Sequence, residues 1–317
     1  WGATPISATT SASGPAGSSV VGTMIEPPLD FDATTYRSLY PDLAHLDDRL
    51  IRAHYERHGK AEGRRAHTLA SRIEFAQLLS AERTLEIGPF TRPLLSGPEV
   101  LYADIYSTEQ LQEIAPKLGL DAAGVPTIRW VISPGDLGVI DEKFDAILSG
   151  HVIEHQPNLV GHLSQVSGLL NDGGRYLVLV PDYRYSFDHF MKASTISEVL
   201  DAHVRKLAMH DPRSLIASRL LLAHNDAARH WGGDHGDVNV NPAFPEHDRT
   251  TRLKLAVNQA AHMPETLVNE HAWFFTADTF AEIMSDLLAL ELIDLQVERL
   301  YPAMRNTLEF WAILRKK

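Results

Sequence analysis

The segment from Arg83 to Asp104 constrains the fold most, because a short apolar run, a glycine-bearing turn and a second apolar run ending in an acid follow one another there. Residues 84–87 have the composition of a buried strand, and Gly88 follows where the chain must turn and can approach a ligand closely. A second strand, 100–102, leads to Asp104, at the spacing of about twenty residues that lets an acid reach a ribose hydroxyl pair. The pattern predicts a nucleotide-binding βαβ unit, although an ordinary βαβ unit whose glycine only ends a strand would look the same.

The next part of the chain continues the alternation of strand and helix. Residues 144–149, FDAILS, predict a third strand, and residues 159–170 have the apolar spacing of a helix. Turn-forming residues at 171–174 then precede a continuous apolar strand over 175–180, which ends at Pro181. Strands that alternate with helices predict an α/β fold with a parallel sheet.

In this order, the segments resemble those of the class I S-adenosylmethionine-dependent methyltransferases. The resemblance covers residues 69–315 and is carried by LEIGPF, VLYAD, FDAILSGHVIEH and LLNDGGRYLVLVPD. It implies a doubly wound, mainly parallel seven-stranded sheet and an enzyme that uses S-adenosylmethionine as its cofactor. The EIGP turn is similar to the turn of a bacterial subgroup of these proteins.

The resemblance also implies which residues bind the cofactor. Glu86 and Gly88 would lie beside its methionine part, and Asp104 would accept hydrogen bonds from the ribose hydroxyls. Asp136 and Leu137 match the adenine-edge pair of the family. The implied cofactor-binding set comprises Glu86, Gly88, Pro89, Phe90, Asp104, Ile105, Asp136, Leu137, Ser149, Gly150 and His151.

The turn departs from the family pattern at one point. The family has two or three glycines there, whereas this chain has Pro89 and Phe90 after Gly88. Proline stiffens the turn and phenylalanine adds bulk. A non-catalytic copy of the fold that binds a glycan or a partner enzyme is therefore kept as an alternative.

Composition limits the class of protein and its partners. The formal net charge of -12 disfavours nucleic acid as a partner, because phosphates would be repelled by most of the surface. No apolar run approaches the roughly 20 residues that span a bilayer, and we expect no secretion signal. The sequence contains no cysteine, so disulfides and thiolate chemistry are excluded. We expect a cytoplasmic globular protein.

The chain divides into three predicted parts. Residues 1–26 carry almost no charge and are rich in Ser, Ala, Thr and Gly, which is typical of a flexible linker. Residues 27–67 predict a small helical segment, whose HY..HG..EGR pattern resembles a motif found beside glycosyltransferase and methyltransferase domains of bacterial surface-glycan proteins. A glycosyltransferase partner is one interpretation of this motif, and a helical cap on the main domain is the other. Residues 68–317 form the main domain, with an insertion at 181–270.

The later elements follow from periodicity. Two helices are predicted within the insertion, around 196–206 and 214–229. Residues 276–290 predict an amphipathic helix. Residues 292–300 and 308–314 predict the closing antiparallel hairpin that the resemblance implies. The insertion would lie above the carboxyl ends of the strands, where ligands bind in open α/β folds, and we expect it to form the acceptor site.

Histidine is the natural general base for a hydroxyl acceptor near neutral pH, and the chain contains 16. His151, His235 and His271 are the candidate catalytic bases. His155 belongs to the IEH motif, where the resemblance favours a structural role. The candidate acceptor-binding residues are Arg184, Tyr185, His230, Trp231 and Trp273.

The segment HWGGDHGDVN offers a candidate metal set of His230, Asp234, His235 and Asp237. Its spacing matches no well-defined zinc or calcium pattern, so we expect no required metal, although a divalent cation stays an alternative. A metal-dependent hydrolase is the corresponding rival function. A dinucleotide oxidoreductase is disfavoured, because the turn lacks the GxGxxG pattern. The sequence favours O-methylation of a saccharide or small-molecule acceptor in surface-glycan biosynthesis.

Overall fold

The computed structural model describes residues 29–79, 82–242, 244–262 and 270–317, and its centre is a seven-stranded sheet. The strands are β1 (Thr84–Ile87), β2 (Val100–Asp104), β3 (Trp130–Val131), β4 (Phe144–Gly150), β5 (Leu170–Pro181), β6 (Leu295–Tyr301) and β7 (Glu309–Lys316). Their order is β3-β2-β1-β4-β5-β7-β6, and β7 runs antiparallel to both of its neighbours. The predicted linker lies outside the described residues.

Helices cover the sheet, and in the described part of the chain three of them precede its first strand. They are α1 (Ala33–Leu39), α2 (Asp48–His54), α3 (Arg72–Ala76), α4 (Thr108–Ile114), α5 (Leu159–Leu169), α6 (Ile196–Val204), α7 (Pro212–Leu221), α8 (Ala227–Trp231), α9 (Arg249–Ala261) and α10 (Ala277–Ala289). Several begin at a side-chain cap, which satisfies backbone N–H groups of the first turn; Ser107 caps α4 and Asn158 caps α5 in this way. None of the helices in these ranges is long and apolar enough to cross a membrane.

The parallel strands bring their carboxyl ends to one edge of the sheet. Ile87 of β1 is opposite Ala103 of β2 on one side and Ser149 of β4 on the other. The residues that follow these strands therefore meet at that edge. The sheet order, the single antiparallel strand and the closing β6–β7 hairpin confirm the predicted doubly wound class I methyltransferase fold.

The core lies on both faces of the sheet because side chains alternate along each strand. Ile147 and Val178 face a large cluster that includes Phe280 of α10. Leu148 and Leu177 face a smaller cluster on the opposite side. A parallel strand covered on both faces is apolar throughout, which explains why β4 and β5 are clear in the sequence.

The amino-terminal helices have a small core of their own and contact the main domain. Tyr36, Ile51 and Tyr55 are the centre of that core. The backbone N–H of Asp30 donates to the carbonyl of Leu300, and Lys60 pairs with Asp278 at the start of α10. The division into domains stays a prediction, but these contacts tie the segment to the sheet.

Two local predictions were wrong. Residues 171–174 belong to β5 instead of forming a separate turn, and the extra residues produce an irregular register around Gly173, whose φ is +72°. The predicted helix over 214–229 is broken into α7 and α8, because Asp226 accepts from the Arg229 N–H and so begins a new helix.

Gly59 lies at the closest approach within the amino-terminal core. A Cβ there would be 2.1 Å from the Tyr36 hydroxyl oxygen and 2.9 Å from Tyr55 Cδ2. We expect Gly59→Ala to lower the free energy of unfolding by about 1–3 kcal/mol, because both tyrosines must move. Gly124→Ala, where a Cβ meets open space, is the control and should change it by less than about 0.5 kcal/mol. Equal shifts of the two urea midpoints would contradict this account.

Candidate functional site

A cavity of about 720 Å³ opens at the carboxyl ends of β1, β2 and β4. This is the edge where an open α/β sheet binds its ligand. The lining residues are Ile87, Gly88, Phe90, Asp104, Ile105, Tyr106, Ile114, Ile132, Pro134, Gly135, Leu137, Gly150, His151, Val152, His155, Gln156 and His162.

The turn after β1 forms one wall of the cavity. Gly88 has φ of +68°, and a Cβ on it would lie 2.7 Å from Val152 Cγ2, so glycine fits both the conformation and the close approach. Phe90 also has a positive φ, +50°, which is uncommon for a bulky residue. Its backbone N–H donates to the carboxylate of Asp104 at 3.0 Å, which supports that conformation. Pro89 lies between them and does not line the cavity.

Asp104 lies at the end of β2 in the cavity wall and is 3% exposed. Its Oδ2 accepts from Phe90 N–H and its Oδ1 from Tyr106 N–H, both at 3.0 Å. Burial raises the pKa of this carboxyl, and the backbone hydrogen bonds oppose that change. Each carboxylate oxygen keeps a lone pair, so the side chain can still accept hydrogen bonds from a ligand.

Glu86 is turned away from the cavity. Its two carboxylate oxygens accept from the backbone N–H groups of Leu94 and Leu95, at 2.8 and 3.0 Å. Burial raises its pKa to about 7, despite these two hydrogen bonds, which lower it. The structure therefore gives Glu86 the role of holding the loop that follows the turn.

Only one residue of the predicted adenine-edge pair lines the cavity. Leu137 is buried and lines the cavity, whereas Asp136 is exposed and its Oδ1 accepts from the Gly138 N–H at 2.8 Å. Ser149 is also outside the lining, since its hydroxyl is buried against the Tyr176 hydroxyl at 2.7 Å. Gly150, His151 and Ile105 do line it.

His151 lies at the end of β4 with φ of +57°. Its Nε2 is 2.7 Å from Oε2 of Glu309, at the start of β7. Burial raises the pKa of Glu309, but the hydrogen bond from His151 and the charge of Arg72 outweigh it, so the net pKa is below its usual range. The pair is therefore an imidazole oriented by an ionised carboxylate, which is a geometry that suits a general base.

Behind His151 lies a buried group that we call the Glu154 cluster, made of Glu154, His155, Asp188 and His271. His271 Nδ1 is 2.6 Å from Asp188 Oδ2, and its Nε2 is 3.9 Å from Glu154 Oε1. Burial lowers the pKa of His271, but the charges of Asp188 and Glu154 outweigh this and raise it overall. Burial lowers the pKa of His155 to about 3, so its ring is neutral. The carboxylates therefore favour the protonated form of His271, whereas burial and the neighbouring histidines keep His155 neutral.

A second histidine group, which we call the insertion cluster, contains His189, His224, His230 and His235. His189 and His235 stack face to face with ring centroids 3.7 Å apart, and His230 Nδ1 is 3.1 Å from His235 Nδ1. The two aspartates of the predicted metal set do not join them. Asp234 pairs with Arg229, and Asp237 accepts from its neighbour Asn239.

The candidate acceptor residues have contacts of their own. Arg184 donates from Nε and Nη2 to the buried carboxylate of Asp182, at 2.8 and 2.6 Å. Tyr185 stacks on Trp231 with centroids 3.7 Å apart. Trp273 is 5% exposed and its indole N–H donates to the carbonyl of Gln156, so it belongs to the core beside the cavity.

Sequence reasoning did not select Glu154, Asp188 and Glu309. Glu154 had a local signal, because it lies between two histidines in the segment HVIEH. Asp188 and Glu309 had none, since their partners lie 83 and 158 residues away along the chain.

No protein-family model matches the chain, and a search among curated proteins found no match. Among solved structures, it is similar to the CcbJ methyltransferase from Streptomyces caelestis, at 13% identity and a TM-score of 0.35, over 81% of this chain and 95% of that one. The mitomycin 7-O-methyltransferase MmcR has 15% identity and a TM-score of 0.35, over 87% of this chain and 60% of that one. An S-adenosylmethionine-dependent methyltransferase from Clostridium acetobutylicum has 12% sequence identity and a TM-score of 0.38, over 88% of this chain and 99% of that one.

The raised pKa of Glu86 predicts a pH-dependent stability. Between pH 4.5 and about 7 the folded protein keeps this proton and the unfolded chain does not, so stability falls as pH rises through that window. We expect Glu86→Gln to lack this part of the pH dependence, which is worth up to about 3 kcal/mol. Urea unfolding of both proteins across the window measures the difference, and two parallel profiles would refute the assignment.

Proposed function

We propose that the protein transfers a methyl group from S-adenosylmethionine to an oxygen of a saccharide or small-molecule acceptor. The observation that carries this proposal is the buried Asp104 in the wall of a cavity at the carboxyl ends of β1, β2 and β4. The class I methyltransferase order of the strands supports the same conclusion.

The cavity residues fit the parts of this cofactor. The free lone pairs of Asp104 suit two neighbouring ribose hydroxyls, since hydrogen bonds to a charged acceptor contribute about 1.5–3 kcal/mol each. Ile132 and Leu137 offer apolar contact for the adenine ring. The Gly88 backbone leaves open the space that a side chain would fill. When bound, the cofactor supplies an activated methyl group on a sulfonium, and the remaining steps fall to the protein.

His151 is the proposed general base. It lines the cavity, and donation of its Nε2–H to Glu309 leaves the lone pair of Nδ1, which lies 3.7 Å from Glu154 Oε1, to take the acceptor proton. The ionised Glu309 then stabilises the imidazolium that forms. His235 lies in the insertion cluster, and His271 is buried with Nδ1 held by Asp188, so neither fits this role as well.

The acceptor side of the proposal rests on the insertion and the amino-terminal segment. Asp188, which follows β5, contacts His271 of the Glu154 cluster, and Tyr185, three residues before it, stacks on Trp231 of α8. Aromatic rings with neighbouring polar groups suit a sugar. The sequence motif of the amino-terminal segment supports a role in surface-glycan biosynthesis, with a glycosyltransferase as the proposed partner.

Calorimetric binding of S-adenosylhomocysteine tests the cofactor half without an acceptor. We expect micromolar affinity, about -8 kcal/mol, for the wild type. Asp104→Asn should weaken binding by at least about tenfold, because a charged acceptor of the ribose hydroxyls is lost. Asp136→Asn is the matched control, since its carboxylate is exposed and bonded within its own loop, and it should bind normally.

Two results would overturn the assignment. Absence of binding by a folded wild type would favour the non-catalytic glycan-binding or partner-binding module. Equal affinities for both variants and the wild type would place the cofactor elsewhere. Thermal unfolding of each variant separates lost binding from lost folding, because Asp104 also holds the turn through Phe90.

His151→Asn tests the base. Asparagine tolerates the positive φ at this position, so the backbone should keep its shape while the imidazole is lost. With an acceptor found by a screen of sugars, we expect kcat to fall by about 10²- to 10⁴-fold with S-adenosylhomocysteine affinity unchanged. His235→Asn is the control and should keep normal turnover. A normal kcat for His151→Asn together with a lowered kcat for His235→Asn would instead assign the base to the insertion cluster.

A further inference from the structure

Glu154 is a buried carboxylate without the partners that such a group needs. It is 1% exposed, and within the described part of the chain neither of its carboxylate oxygens has a hydrogen-bond partner. Its nearest polar neighbours are His151 Nδ1 at 3.7 Å and His271 Nε2 at 3.9 Å from Oε1. Burial raises the pKa of this carboxyl, and a positively charged ligand beside it would stabilise its ionised form.

In their neutral forms, the two histidines of the cluster are held so that one ring nitrogen of each carries a free lone pair. His155 Nδ1 lies 3.1 Å from the Glu270 carbonyl oxygen and donates to it, which leaves Nε2 as the lone-pair nitrogen. His271 Nδ1 donates to Asp188 Oδ2 at 2.6 Å, which directs Nε2 toward Glu154. A carbonyl or carboxylate behind each ring is the arrangement that orients metal-binding histidines in proteins.

We propose that Glu154, His155 and His271 are the ligands of a divalent-cation site beside the cavity. One ring nitrogen of each histidine and one Glu154 oxygen all lie within 4.8 Å of one another. Two ligand atoms at about 2.1 Å from a shared ion are at most about 4.2 Å apart, and the 3.9 Å between Glu154 Oε1 and His271 Nε2 meets that limit. A pair at the outer bound of 4.8 Å would have to close by about 0.6 Å on binding. Two imidazoles and one carboxylate suit a first-row divalent ion such as Mn²⁺.

The insertion cluster is the competing site. His189, His230 and His235 also bring ring nitrogens together. However, the His189 and His235 rings are parallel, with 8° between their planes, and stack face to face. Nitrogen lone pairs lie in the ring plane, so those of two stacked rings do not converge on one point. The Glu154 cluster, where the His155 and His271 rings meet edge to face at 82°, is the better ligand set.

The cation would lie at the acceptor end of the cavity. His155 is both a proposed ligand and a lining residue, so a free coordination position would face the cavity, where it could take an acceptor oxygen. That contact would lower the pKa of a bound hydroxyl. This step rests on the proposed function, whereas cation binding itself does not.

Titration of the untagged chain with Mn²⁺ tests the site. Electron paramagnetic resonance of the free aqua ion measures the concentration of unbound Mn²⁺ at each point. We expect one Mn²⁺ per chain, loss of binding in Glu154→Gln, and a 10- to 100-fold weaker affinity in Asp188→Asn, because Asp188 orients His271. His235→Ala, in the insertion cluster, should bind Mn²⁺ as the wild type does. Glu154→Gln replaces a buried carboxyl that has no hydrogen-bond partner in the described part of the chain with a neutral amide of similar size and should fold normally, which circular dichroism checks.

Two outcomes would overturn the inference: no Mn²⁺ binding by the wild type, or binding that survives Glu154→Gln and is lost in His235→Ala. If Glu154→Gln fails to fold, the affinity of Asp188→Asn decides. S-adenosylhomocysteine binding is measured on the same samples. Mn²⁺ binding without cofactor binding would sink the proposed function and leave the cation site standing.

Discussion

The cavity depends on two buried carboxylates that hold the backbone of the turn after β1. Glu86 accepts the N–H groups of Leu94 and Leu95, and Asp104 accepts that of Phe90, which has a positive φ. A loop with Phe90 in place of a glycine would be strained if these bonds were absent. The chain therefore replaces the conformational freedom of glycine at this position with a hydrogen bond from Phe90 to Asp104 at the end of β2.

Buried charge also connects the sheet to the insertion. Asp188 follows β5 and holds His271, while the backbone N–H of Ala272 donates to the carbonyl of Glu154 after β4. Buried charges cost stability unless they are paired, so their concentration at one edge of the sheet supports the proposed placement of the functional site there. The insertion thus contacts the buried cluster behind His151, although none of its described residues lines the cavity itself.

The parts of the fold that sequence could predict are those with a local signal. β1, β4 and the strand over 175–180 are buried on both faces, so a continuous apolar run identifies each of them. Gly88 and Asp104 could be selected because turn and spacing fix their places. The pairs His151–Glu309 and Asp188–His271 could not, because each joins residues from distant parts of the chain that only the packed sheet brings together.

The histidines show why composition alone is a weak guide to a catalytic site. Burial lowers the pKa of His67 and of His162 to about 4, so these two are neutral core residues although one of them lines the cavity. His151 and His271 differ from them because each has a carboxylate within hydrogen-bond distance. A carboxylate partner fixes the tautomer of the ring, which both proton transfer and cation binding require, and it also stabilises the imidazolium that proton transfer forms. The carboxylates, more than the number of histidines, therefore define the end of the cavity at which we propose that the reaction takes place.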